Sequence, residues 1–470
     1  MNGIIKKAIS NFKFVIAAQL IVLAFGFLRS LLVPSFLTVR DFGYWQIYLF
    51  YSSYVGVFAL GFNDGIYLRY GRYQYGDLPY KKLRTAIRMH VFLLVIFSAF
   101  ACICAVFIDD NQRRFAFWFV SANILVLGTN GVFIYILQIT NQMKRYSFFS
   151  ILDKVIVMVV IVLCALVKID RFEYLVAIDL LSKIVVVIGM IVCCKELWFG
   201  KNSDITEAIN EYQTDVSVGI KLMLAQLMGM LVTGIGRFIV ERLGDIEKYA
   251  FYSFGVTITN LVLVLITSVS LLVYPTLKRL NEDNYPRYYE KINSLLQKFN
   301  ILVPLIYFLA AILIPILLPK YESVLIYLNI LFGVIILQAK MQLLNNTFYK
   351  ALRKETAMMK ANLSSVVIFA IIAIIVFIQI KSIWSIALCT LLIMACLCFA
   401  SEVYLRKVMH LRNFTGIFYE TMYITAFVLL TSILDLNVLL IIYGCFLFVV
   451  AYKYRQSIIG FVRNFNLRRK

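Results

Sequence analysis

Apolar residues do not alternate along this chain but gather in long runs, such as FVIAAQLIVLAFGFLRSLLVPSFL at 14–37 and LSSVVIFAIIAIIVFIQI at 363–380. A bilayer core of roughly 30 Å needs about 20 apolar residues at 1.5 Å each in a helix. Runs of about that length recur along the whole sequence. Strands of a membrane barrel would instead show short alternating stretches of about ten residues, which are absent here. Lipid requires each backbone group to be satisfied within its own segment, so the runs predict helices. Spans are expected near 12–37, 43–63, 91–108, 115–140, 151–167, 172–194, 216–241, 249–275, 299–318, 324–348, 363–380, 383–404, 417–434 and 438–454, about fourteen in all. The longest polar connections, near 64–90, 195–215 and 276–298, are too short for a separate soluble domain.

Composition agrees with this reading. The chain is 62% hydrophobic and 15% charged, with a mean hydropathy of +0.86, against about 45–50% apolar and 25% charged in soluble domains. The formal net charge of +21 adds an orientation, because Lys and Arg accumulate on cytoplasmic connections. Basic clusters follow the even-numbered spans, with Arg69, Arg72, Lys81, Lys82, Arg84 and Arg88 after the second and Lys350, Arg353, Lys354 and Lys360 after the tenth. The termini carry Lys6, Lys7 and Lys13 at one end and Arg463, Arg468, Arg469 and Lys470 at the other. The connections after odd-numbered spans are short and nearly balanced, as in DDNQRR at 109–114. Both termini are therefore expected in the cytoplasm, and the net charge reflects topology and attraction to anionic lipid, not nucleic acid. The first run is longer than a signal-peptide core of 7–15 residues and has no small-residue cleavage site, so it is expected to remain as a span.

Nine cysteines lie in or at the ends of spans without zinc or disulfide spacing, and two histidines leave metal and Ser-His hydrolase chemistry little to draw on. No cofactor is expected.

An internal echo organises the chain. Arg29 precedes a short connection and DFGYWQIYLF at 41–50, and Arg237 precedes a short connection and EKYAFYSFGV at 247–256. Aligning the two aromatic stretches brings Arg29 within one residue of Arg237, six spans later. Six is even, so the two halves would be parallel repeats with the substrate between them. The expected fold is an all-α polytopic membrane protein: six-helix lobes at 1–200 and 201–412, then two further helices and a basic tail at 413–470.

Five cations fall inside apolar spans: Arg29, Lys183, Lys221, Arg237 and Lys340. Each costs about 2.5–3.5 kcal/mol at mid-depth, so they are expected to face an interior. Asp179 lies one turn from Lys183 and Glu241 one turn from Arg237, and either acid could neutralise its neighbour. Lys340 is alternatively shallow enough to snorkel. A cavity with surplus positive charge implies an anionic cargo, and phosphate suits guanidinium and ammonium donors best. Asn63 and Asp64, in GFNDG at the end of the second span, read either as a cation site or gate latch or as a plain helix-ending turn. Asp179 is a further candidate for gating or cation coupling.

The DFGYW turn after the first span, GFNDGIYLRYGR at 61–72 and the Arg-bearing seventh span on an even set of basic-faced spans resemble the Wzx-type polysaccharide-biosynthesis flippases. These belong to the multidrug/oligosaccharidyl-lipid/polysaccharide exporter superfamily. The resemblance implies two six-helix lobes around a cationic cavity in the bacterial cytoplasmic membrane. It implies a cargo of undecaprenyl-diphosphate-linked oligosaccharide, moved to the outer leaflet for O antigen, capsule or exopolysaccharide assembly. Proton or sodium coupling and a polysaccharide polymerase as partner are implied in the same way. Lipid II flippases and multidrug antiporters of the superfamily are the alternatives. A drug antiporter should favour acidic cavity residues, and a glycan polymerase should carry a larger outer loop. A cysteine placed at position 237 is expected to react with a water-soluble thiol reagent; complete protection would place that side chain outside any aqueous cavity.

Overall fold

The computed structural model describes residues 20–71, 73–277 and 282–453, and among them every regular element is helical. Arg72 and the terminal cations named above lie outside these residues. In chain order the helices are α1 Leu20–Phe36, α2 Val39–Tyr54, α3 Phe62–Arg69, α4 Tyr80–Val106, α5 Asn111–Ile139, α6 Met143–Val167, α7 Phe172–Cys193, α8 Ile205–Leu243 and α9 Ile246–Leu277. There follow α10 Tyr285–Asn300, α11 Val303–Leu317, α12 Leu325–Lys340, α13 Asn346–Ala351, α14 Glu355–Ile380, α15 Ile383–Val408, α16 Thr415–Ile433 and α17 Leu436–Lys453.

Ten helical segments of the described residues are long and apolar enough to cross a membrane. They occupy ten of the predicted spans, including 151–167 and 363–380. The remaining predicted spans, 12–37, 43–63, 249–275 and 438–454, are helical where described, with one interruption. Large apolar side chains such as Phe100, Leu166, Ile316 and Ile433 stand exposed on the outward faces, where lipid would cover them.

Local chemistry explains the breaks between helices. Thr38 caps α2 by accepting from the Asp41 amide, a Ser/Thr-x-x-acid arrangement that satisfies the first free N–H groups. Asp110 caps α5 in the same way through the amides of Gln112 and Arg113, and also accepts from the Tyr44 hydroxyl. Burial works against its charge, but these hydrogen bonds outweigh it and hold the carboxyl below its ordinary range. The second span is broken: α2 passes into a 3₁₀ turn at Val55–Ala59, Leu60 and Gly61 adopt left-handed conformations, and α3 completes the crossing.

Helices α2, α4, α5, α6 and α7 pack on one another as a first bundle, and α9, α11, α12, α14 and α15 as a second. Helix α8 packs on α14 and α15 while its first half lies on α3 and α4. Ion pairs identify the ends of these contacts. Arg69 and Lys82 of the first bundle meet Asp215, Glu211 and Glu207 near the start of α8, on the face carrying the basic connections. At the opposite face Arg113 meets Glu241 near the end of α8.

The appended α16 packs on α12, and α17 on α16. A buried cluster pins the first of them: Lys340 lies between Glu402 of α15, at 2.5 Å, and Glu420 of α16. Arg406 holds Glu402 from the other side at 2.8 Å. Two cations and two carboxylates balance, and Lys340 is fully buried. Removing one member leaves an uncompensated charge, at about 3–5 kcal/mol. Lys340→Met should therefore lower the unfolding midpoint of the purified protein markedly, and Lys340→Met/Glu420→Gln should recover most of the loss. A midpoint unchanged by the single substitution would show that the cluster does not hold α16.

The α3 and α8 backbones touch. A Cβ on Gly219 would overlap the Gly61 carbonyl, and one on Gly61 would lie 2.5 Å from the Ile220 amide nitrogen. Only glycine allows this approach. Gly219→Ala should keep the bundles apart on the basic face, read as faster labelling of a cavity cysteine from that side; labelling at the parent rate would refute the close approach.

Candidate functional site

Between the bundles lies a cavity of about 490 Å³. Its wall takes side chains from α1, α2, α6, α7, α8, α9, α12 and α15, so no single lobe makes it. Three cations line it, Arg29, Lys154 and Arg237, with one carboxylate, Asp179. Neutral polar groups, among them Gln46, Ser53, Tyr54, Asn260, Gln338 and Thr390, are interspersed in an otherwise mostly apolar wall.

The bundles meet on both sides of this space. On the basic face α3 closes against α8, where Gln226 donates to Asp64 at 3.1 Å and Arg69 bonds Asp215 at 2.5 Å. On the opposite face Phe42 of α2 packs edge-on to Phe254 and Tyr321, with centroids 6.2 and 5.5 Å apart. Beside them Glu241 takes Arg113 at 2.8 Å and the Tyr51 hydroxyl at 2.8 Å. Laterally, an apolar groove of about 190 Å³ runs between α1, α9 and α11, lined by residues such as Phe27, Leu31, Val262 and Leu313. It shares Leu23 and Leu261 with the cavity.

The five predicted cations divide. Arg29 and Arg237 line the cavity. Arg29 is half-buried and has no hydrogen-bond or ion-pair partner among the described residues. The Arg237 guanidinium donates to Gln46 Oε1 at 2.8 Å and Ser253 Oγ at 3.3 Å, and lies over the Phe50 and Tyr249 rings at 5.0 and 5.9 Å. Glu241 does not neutralise it, because that carboxylate is engaged by Arg113, Tyr51 and Arg242.

The other three, also expected as substrate contacts, do not line this cavity. Lys183 is buried against Asp179 one turn away, the pairing that the spacing allowed. Lys221 is exposed on α8, next to the α3 contact. Lys340 neither faces the cavity nor snorkels, since two carboxylates from other helices enclose it. Asp179 does reach the cavity wall and also accepts from Tyr48 at 2.6 Å.

GFNDG does end one helical segment and begin another, as a turn would. Both of its polar side chains are buried all the same. Asn63 donates to the Gly128 carbonyl at 3.3 Å within the first bundle, and Asp64 reaches across to Gln226 of α8.

Sequence reading missed Lys154 and Gln46. Lys154 is near the start of the expected 151–167 span, yet α6 starts at Met143, which places it roughly 16 Å along the helix at 1.5 Å per residue, where its ammonium pairs with Asp153 at 2.7 Å. Gln46 had a signal, as a lone amide among aromatics in DFGYWQIYLF. No group of three or more His, Cys, Asp or Glu side chains fit to hold a metal occurs among the described residues.

Comparison with solved structures places the fold. The chain is similar to a lipid II flippase MurJ in an inward closed conformation, with 13% identity over 96% of this chain and all of that one, at a TM-score of 0.68. It is also similar to a multidrug resistance MATE family transporter of the MOP superfamily. The inward-facing form matches at 15% identity over 87% of this chain and 95% of that one, with a TM-score of 0.58. The outward-facing form matches at 12% identity over 89% and 96%, with a TM-score of 0.55. No curated protein matches the chain. At these identities the likeness is one of fold. Residues 32–321 match the family model described as polysaccharide biosynthesis protein, and the chain therefore belongs to the polysaccharide biosynthesis protein family.

Proposed function

We propose that the protein is an alternating-access flippase that moves undecaprenyl-diphosphate-linked oligosaccharide from the cytoplasmic to the outer leaflet of the bacterial cytoplasmic membrane for surface polysaccharide assembly. The observation that carries this reading is a cation-lined cavity between two bundles with a wholly apolar groove next to it, the two sharing Leu23 and Leu261 in their walls. The first suits a diphosphate head group and the second a prenyl tail, so one amphipathic molecule would be held at both ends. A drug antiporter for cations is the weaker match, because Arg29 and Arg237 on the wall have no carboxylate partner among the described residues, whereas Asp179 is held by Lys183 and Lys154 by Asp153.

In this reading the lobes divide near residues 200 and 412, and the basic face is cytoplasmic, with both termini there. Arg29 and Arg237 grip the diphosphate. Asp64 with Gln226 and Arg69 with Asp215 and Glu211 latch the cytoplasmic side. Opening on that side requires α3 to leave α8; opening on the other requires α2 to leave α9 and Arg113 to leave Glu241. No covalent step is needed, only different affinities in two exposures. Proton or sodium coupling would act by shifting these latches, with Asp179 and Asp64 as its candidate sites. A polymerase would take the exported unit.

The test is the leaflet distribution of undecaprenyl-diphosphate-linked sugar in proteoliposomes. Arg237→Ala should slow appearance on the far leaflet by about tenfold to a hundredfold, the worth of a charge-assisted hydrogen bond, while insertion stays normal. Arg237→Lys should retain part of the rate, since it keeps the charge without the fork. No protein-dependent movement of the native glycan lipid would overturn the reading.

A further inference from the structure

Arg237 holds a position that a cargo-binding residue does not require. It belongs to α8, yet its guanidinium reaches the first bundle, where its partner is the neutral side chain of Gln46. Among the described residues it forms no ion pair with a carboxylate, although Glu241 lies one turn away. The clasp has a second strand, because the Tyr249 hydroxyl of α9 donates to the Gln46 backbone carbonyl at 3.1 Å. Both Gln46 and Arg237 line the cavity. The same short stretch of α2 carries Phe42, which closes the seam against Phe254 and Tyr321.

The chemistry of the two acceptors sets an order of preference. An amide oxygen accepts one bond from the guanidinium, whereas a phosphate accepts two in parallel and carries full charge, so each bond is roughly twice as strong. An anion entering the cavity therefore outcompetes Gln46 for the same fork. A carboxylate in place of the amide would match the phosphate and keep the guanidinium.

We propose that Gln46 is a positioning residue that holds Arg237 charged and oriented toward the cavity, and that a diphosphate, by drawing Arg237 away from it, releases the α2 contact and permits opening of the face opposite the basic connections. The inference rests on the anionic cargo proposed above. It adds that the cargo's own charge unlocks the exit, so an empty carrier keeps that face shut.

The test uses the full-length protein in proteoliposomes with inorganic pyrophosphate as the probe. Spin labels are placed at Asp170→Cys and Glu322→Cys, two exposed positions on connections of that face, with the exposed Cys102, Cys104, Cys396 and Cys445 changed to Ser. With Gln46 present, pyrophosphate should lengthen the distance between the labels. Gln46→Glu preserves shape and fold; it should weaken pyrophosphate binding at least tenfold and abolish the lengthening. Gln46→Leu should populate the longer distance without any anion. Pyrophosphate binding with no distance change overturns the release step and leaves the anionic-cargo reading standing. Absence of pyrophosphate binding in the parent protein overturns that reading and the trigger together. A Gln46→Leu protein as closed as the parent overturns the clasp itself.

Discussion

A charge carried to membrane depth must find an opposite charge, a set of hydrogen bonds or water, and in this protein that requirement decides which helices touch. Lys340 and Arg406 meet it inside the second bundle with Glu402 and Glu420, and so fasten α16 to the six helices before it. Lys183 meets it with Asp179, which also accepts from the Tyr48 hydroxyl and so joins α7 to α2. Both arrangements balance locally and leave little charge for a ligand. Arg29 and Arg237 are different: neither has a carboxylate partner among the described residues, and both line the space between the bundles. The surplus charge of the cavity is what remains after the structural pairs have closed.

Helix α8 is where the two bundles communicate. Its first half carries Glu211 and Asp215 for Arg69, its last turns carry Glu241 for Arg113, and Arg237 lies between them in the cavity wall. The same helix therefore pairs with the first bundle near both of its ends. The break in the second span fits this role, because α2 and α3 make separate contacts on the two faces and the left-handed pair Leu60 and Gly61 lets them differ in direction.

The legible part of the sequence was that governed by local rules. Span positions followed from run length, and even the short runs 151–167 and 363–380 are helical because the lipid requirement applies to each run separately. The Asp179 and Lys183 pairing was visible as an i, i+4 spacing. The same spacing pointed wrongly from Arg237 to Glu241, because Arg113 and Tyr51, more than a hundred residues away in sequence, occupy that carboxylate.

By itself, then, the sequence determined that the chain is an all-helical membrane protein, where its helices run, and that several cations fall inside its apolar runs, since hydropathy and charge placement are properties of single segments. Tertiary structure decided which cations are free. In sequence Arg237 has an acid one turn away and Lys340 has none, which suggests the opposite of what the structure shows. Lys340 is enclosed by acids from α15 and α16 and Arg237 faces a cavity beside an amide from α2. That difference depends on which helices pack together, and pairing across helices leaves no trace in the periodicity of either one.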